Sequence, residues 1–138
     1  MDEVEFVIAT TIAAIAGNNA TFNVAIYEQD SAGRPTGPIL ATSDNRYIQM
    51  KAGRALKVAF KFTGANAIEM DADSALGGDY VAVLRISSPA ADGFAVRGEI
   101  VDNYADGQIM TSDDGGSTWT LGDANISDAY MRVRIVTG

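Results

Sequence analysis

The side chains that could do chemistry in this chain are carboxylates, hydroxyls and aromatic rings, because its 138 residues include no histidine and no cysteine. That removes imidazole-activated nucleophiles, thiol catalysis, disulfide staples and the usual zinc ligand sets. Asp71, Asp73 and Asp79, beside the Gly77-Gly78 turn, are closely spaced hard oxygen donors, and Asp102, Asn103 and Asp106 form a second set. Such carboxylates suit calcium, although they lack the fixed ligand series closed by a glutamate that an EF-hand loop needs. Acids in turns otherwise act as turn formers, bonding to nearby backbone N–H groups. A glycosidase needs two carboxylates across a cleft; Glu99 and Asp102 are a candidate pair, on a surface where acids are plentiful. There is no nucleophile–base pair, and no glycine loop ahead of a helix to cradle phosphate. The chain is expected to be no enzyme, with calcium at Asp71, Asp73 and Asp79 as the one cofactor its residues would suit.

Glycan binding asks for exposed rings beside polar groups. Of five tyrosines and one tryptophan, Tyr47 and Tyr104 lie in polar, turn-rich surroundings, near Arg46 and Gln49 or Asn103 and Asp106. They are the candidate sugar contacts, while Tyr80 and Trp119 read as core. The most specific pattern is Ser-x-Asp-x-Gly-x-Thr-Trp at Ser112, Asp114, Gly116, Thr118 and Trp119. Gly115 and Gly116 can take the positive φ of a tight hairpin turn. Ser112, Asp113 and Asp114 can bond to backbone N–H groups just ahead, and the indole can fix the hairpin on a core. Turn chemistry accounts for every residue, so fold support is preferred to metal binding at Asp113 and Asp114 or sugar stacking on Trp119.

Strands must position these groups. Apolar residues alternate at Phe22, Val24 and Ile26, at Leu56, Val58, Phe60 and Phe62, at Tyr80, Ala82, Leu84 and Ile86, and at Met131, Val133 and Ile135. Period two is the strand signature. Weaker strands are expected over Ile39–Ser43, Tyr47–Met50, Ala67–Met70, Phe94–Val101 and Gln108–Thr111. Turn clusters separate them at Gly17-Asn18-Asn19, Asp30–Pro38, Gly77–Asp79, Ser87–Pro89 and Asp106-Gly107. No long segment has a helical period with caps. The expectation is one domain, residues 1–138, folded as an all-β, antiparallel two-sheet jelly-roll-like sandwich of about eight to ten strands. Its core would hold Phe22, Val24, Ile26, Leu56, Val58, Phe60, Leu84, Trp119, Val133 and Ile135.

Charge narrows the partners. A net charge of −8 argues against nucleic acid and anionic membrane. Arg46, Lys51, Arg54, Lys57 and Lys61 form a stretch without acids, whereas Asp92 through Asp128 carries eight acids and one base, Arg97. The plain reading is two solvated faces; the functional one is complementary patches meeting between subunits, with Lys57 and Lys61 as self-association residues. The apolar run Phe6–Ala16 ends like a signal-peptide cleavage site. However, Asp2, Glu3 and Glu5 stand where positive charge is needed, and the run is too short to span a bilayer. It reads as a buried strand, with a helix as the alternative its alanines leave open, and with no membrane insertion.

The Ser112–Trp119 pattern resembles the Asp-box, a β-hairpin signature of sialidases and many surface proteins, where it supports the fold away from any active site. Other pieces are similar to a jelly-roll module of bacterial and archaeal surface proteins and phage structural proteins, which resembles carbohydrate-binding modules in fold. They are the strand Phe22–Tyr27, the loop Ser31–Pro38, the segment Ile39–Asp44 and the closing strand Ala129–Ile135. Such modules usually have one more strand ahead of Phe6–Ile15, and its absence would leave an edge for a neighbouring subunit. The resemblance implies a structural or adhesive protein in a virion, as a capsid-decoration or tail-associated component, or at the cell surface. Its partners would be copies of itself, as a homo-oligomer, or a larger scaffold. The alternative it implies is a carbohydrate-binding module, with a glycan as ligand, excised from a secreted or cell-surface protein.

Overall fold

The computed structural model describes residues 2–10, 18–50, 53–67, 80–88, 94–96, 98–99, 109–112, 114–121, 128–129 and 131–134. These hold twelve strands: β1 (Glu3–Thr10), β2 (Asn18–Gln29), β3 (Pro35–Thr42), β4 (Arg46–Met50), β5 (Ala55–Lys61), β6 (Tyr80–Ser88), β7 (Phe94–Val96), β8 (Gly98–Glu99), β9 (Met110–Thr111), β10 (Thr120–Leu121), β11 (Asp128–Ala129) and β12 (Met131–Arg134). A short 3-10 turn, Gly64–Asn66, is the one helical element among the described residues. Every strand pairing is antiparallel. The chain is all-β.

Two sheets are each built on a central strand. In the first, sheet A, β5 covers one edge of β1 from Glu3 to Ala9. The other edge is divided, with β12 beside Glu3–Phe6 and β7 beside Ile8–Thr10. In sheet B, β6 runs along one edge of β2 from Thr21 to Glu28. There too the second edge is shared, by β4 beside Asn18–Phe22 and β3 beside Ala25–Gln29. The count exceeds eight to ten because the two-residue strands β8, β10 and β11 add to the runs that alternation marks.

Alternation explains the core. Successive side chains of a strand point to opposite faces, so Val4, Phe6 and Ile8 of β1 and Val58 and Phe60 of β5 turn to one side and are buried. Ala20, Phe22, Val24 and Ile26 of β2 do the same in sheet B, and one hydrophobic cluster joins the two sets with Ala41, Ile48 and Phe62. Phe6 and Phe60 meet edge to face with ring centroids 6.3 Å apart. Burying each such ring contributes about 1.5–3 kcal/mol. The arrangement is sandwich-like, two antiparallel sheets sharing one core.

Ser43, Asp44 and Asn45 sit between β3 and β4, opposite only Asn23 and Val24 of β2, which makes a β-bulge of one extra residue. The ladder survives it because Ser43 substitutes a side chain for a missing carbonyl. The Val24 N–H donates to Ser43 Oγ at 2.9 Å, and the Ser43 N–H donates to the Val24 carbonyl at 2.8 Å. The Asp44 N–H donates to the Lys61 carbonyl at 2.9 Å, and the Thr63 hydroxyl donates to the Asp44 carboxylate. The bulge thereby ties sheet B to the end of β5.

Several sequence expectations change. Leu56 has core parity but is 50% exposed, because it lies near the start of an edge strand. Leu84 is packed against the core only in part, and Trp119 is half-buried outside the core cluster. Pro35–Pro38 belong to β3 rather than to a loop, which proline tolerates on an edge strand. Asn18 and Asn19 begin β2 rather than forming a turn. The first strand starts at Glu3, ahead of Phe6, and its described part ends at Thr10. Ala67 follows the 3-10 turn and lies in no strand. Ile135 and residues 68–70 lie outside the described residues, and the side chain of Val133 is likewise undescribed.

Candidate functional site

The hairpin carrying Ser112–Trp119 occupies a definite place in the topology. β7 and β12 lie along the same edge of β1, and the chain between them leaves that edge and returns. At the base of the excursion Gly98 pairs with Ala129 and Glu99 with Asp128. Further along, Met110 pairs with Leu121 and Thr111 with Thr120. The Ser112–Trp119 turn closes this nested pair.

Asp114 organises the turn. Its Oδ1 accepts from the Ser112 hydroxyl at 2.8 Å and from the Thr118 N–H at 2.9 Å, and its Oδ2 accepts from the Thr118 hydroxyl. The Ser112 hydroxyl oxygen in turn accepts from the Gly116 N–H at 2.8 Å. Gly115 and Gly116 have φ of 72° and 92°, the left-handed region that glycine enters without a Cβ penalty. The Thr118 hydroxyl, then its N–H, then the Ser112 hydroxyl favour the ionised form and hold the Asp114 carboxyl at about 2, well below its ordinary value of 3.8. Both carboxylate oxygens are engaged within the turn, so Asp114 is occupied as a structural acceptor.

Trp119 closes the motif in a way the sequence did not indicate. Its Nε1–H donates to the Gly116 carbonyl at 3.1 Å, and Cζ2 lies 3.5 Å from where a Cβ on Gly116 would stand. The indole thus packs on its own turn. A ring whose N–H needs a partner finds one locally, leaving the sheet core to phenylalanines. Asp113 lies outside the described residues.

The remaining candidates fall on separate surfaces. Lys57 and Lys61 are exposed on β5, opposite Val7 and Glu3 of β1. No described strand pairs with the other edge of β5, and Arg54 is exposed just before it. Tyr47, on β4, is 63% exposed. Asp71, Asp73, Asp79 and Tyr104 lie outside the described residues, as do Asp102 and Asp106. Among the described residues no three His, Cys, Asp or Glu side chains come together as a metal would need. No helix there is long and apolar enough to cross a membrane.

Beside Tyr47 the structure assembles residues that sequence reasoning passed over. Thr21 is the register partner of Tyr47, and Asn23 that of Arg85. Asn23 Nδ2 donates to Asn45 Oδ1 at 3.0 Å, while Arg85 Nε donates to Asn23 Oδ1 at 2.8 Å. Polar residues at alternate positions of β2 were the available signal, but which strands flank them could not be read from one sequence.

No family model, curated protein or solved structure matches the chain.

Proposed function

We propose that this chain is a non-enzymatic structural or adhesive module, a sandwich of jelly-roll type that packs against copies of itself or docks on a larger scaffold. The observation that carries the reading is the edge of sheet A. β5 presents Lys57 and Lys61, with Arg54 just ahead of it, all exposed, on a strand whose outer edge no described strand pairs, in a chain of net charge −8. Unpaired N–H and C=O groups along an edge are a template for a further strand. A basic edge on an acidic molecule attracts the acidic surface of another copy and repels its own counterpart, which favours head-to-tail association into rings or filaments. The resemblance to phage structural and surface modules supplies the setting: a virion, as a capsid-decoration or tail-associated component, or a cell surface.

The test is the solution mass by light scattering after size exclusion, at low and high salt. A defined multimer that loosens with salt is expected. A monomer at both salts and at the highest workable concentration would remove self-assembly from the reading.

A second reading, a carbohydrate-binding module, is favoured by one observation. Tyr47 is 63% exposed beside a hydrogen-bonded polar network.

A further inference from the structure

The outer face of sheet B, away from the shared core, places Thr21 and Asn23 of β2, Tyr47 and Gln49 of β4 and Arg85 of β6 on one side by register. None of these five is an acid, in a chain with eighteen acidic residues. Asn23 has both ends of its amide engaged, by Asn45 and by Arg85, so its orientation is fixed and the Arg85 guanidinium is anchored through Nε. Arg85 is half-buried, and no ion pair engages it among the described residues. Among the described residues, then, nothing takes up its Nη donors, which can reach an incoming anion. Ala25, next along this face of β2, is fully buried, while Tyr47 and Gln49 at the other end are exposed.

We propose that this face binds a carboxylated saccharide, one ring lying on Tyr47 and the carboxylate of a neighbouring sugar residue taken by Arg85. The inference gives a ligand class to the carbohydrate reading and rests on it, independently of self-assembly through β5. Three features select the ligand. A flat exposed phenol offers an apolar platform for one face of a pyranose while its hydroxyls reach the surrounding amides. A planar guanidinium donates to a carboxylate in bidentate fashion, and its positive charge, on a face where no described residue is an acid, complements an acidic sugar rather than a neutral one. Strand spacing and rise put Tyr47 and Arg85 about 12 Å apart at Cα, a span for adjacent sugar residues rather than a single ring.

The experiment is binding of the full chain to an array of uronate-containing and sialylated oligosaccharides, their methyl-esterified counterparts, neutral oligosaccharides and poly-glutamate. Solution titration would follow for the tightest carboxylated member. Carboxylated members should bind at least tenfold more tightly than their esters. Arg85→Gln should erase that preference, and Tyr47→Ala should weaken carboxylated and esterified forms together by tenfold or more. Since Arg85 also holds Asn23, Arg85→Lys serves as the milder variant, keeping the charge while losing the bidentate fork. Melting temperatures close to wild type would separate lost binding from lost fold. Equal binding of acids and esters would overturn the acidic ligand while leaving the carbohydrate reading standing. Retention of no glycan would overturn both. Equal retention of poly-glutamate, or carboxylated binding indifferent to both substitutions, would move recognition to a peptide or to another surface.

Discussion

Asp114 decides how the hairpin responds to acid. Its folded value of about 2 lies below its ordinary 3.8. The depressed value means that the turn is fully supported above about pH 4 and loses that support as pH falls through about 2. A carboxyl resonance of Asp114 should titrate near 2, with the Thr118 amide losing exchange protection over the same range, and a midpoint near 3.8 would show that the bonds do not form in solution. Asp114→Asn should abolish this transition. The indole makes a contrasting case. Because Trp119 packs on Gly116 rather than in the core, Trp119→Ala should cost about 1–2 kcal/mol, whereas Phe60→Ala should cost about 3–5 kcal/mol. Denaturant melts of the two variants would decide it, and equal losses would return Trp119 to the core. The turn itself was legible because every bond in it is local, from Ser112, Asp114 and Thr118 to groups within four residues. Where the indole would go was not, since an anchoring tryptophan and a self-packed one follow the same pattern.

Among the elements, the β3–β4 bulge is the most sensitive joint. The Val24 N–H has no backbone carbonyl opposite it and donates to Ser43 Oγ, in a position where both residues are buried. Ser43→Ala leaves that donor unsatisfied, at a cost of about 1–3 kcal/mol, while the side-chain volume hardly changes. Hydrogen exchange at Val24 should accelerate well beyond that of Ile26 on the same strand, and uniform acceleration along β2 would locate the damage elsewhere. The alternation that predicted β2 and β5 also served for β1 once its acids are counted. Glu3 and Glu5 take the outward positions while Val4, Phe6 and Ile8 turn inward. The pattern fails where an element does not follow its own period. Pro35–Pro38 read as a loop because proline and glycine punctuate it, yet an edge position tolerates both. A bulge such as that at Ser43 is invisible without the partner strand. Pairing is non-local, so neither the divided edges of β1 and β2 nor the Asn23–Arg85 contact, 62 residues apart in sequence, could be read from spacing.

At the scale of the molecule, two electrostatic effects oppose each other, and their salt dependence separates them. A net charge of −8 pushes copies apart over distances set by the Debye length, about 10 Å at 0.1 M salt. The basic edge at Arg54, Lys57 and Lys61 attracts the acids of a neighbour at contact distance. If the edge dominates, wild-type association weakens as salt rises. Replacing Lys57 and Lys61 by glutamate takes the net charge from −8 to −12, two units for each lysine, and removes the attraction together. The variant should be monomeric at low salt and, if anything, associate slightly more at high salt, reversing the sign of the wild-type response. Both side chains are exposed, so the melting temperature should fall by no more than a like-charge pairing of position 61 with Glu3 across the strands costs. Sedimentation velocity at two salts reads both slopes. Two parallel slopes would assign association to an edge or face whose grip is apolar, and β3, with Ile39 and Leu40 exposed, would then be the strand to alter.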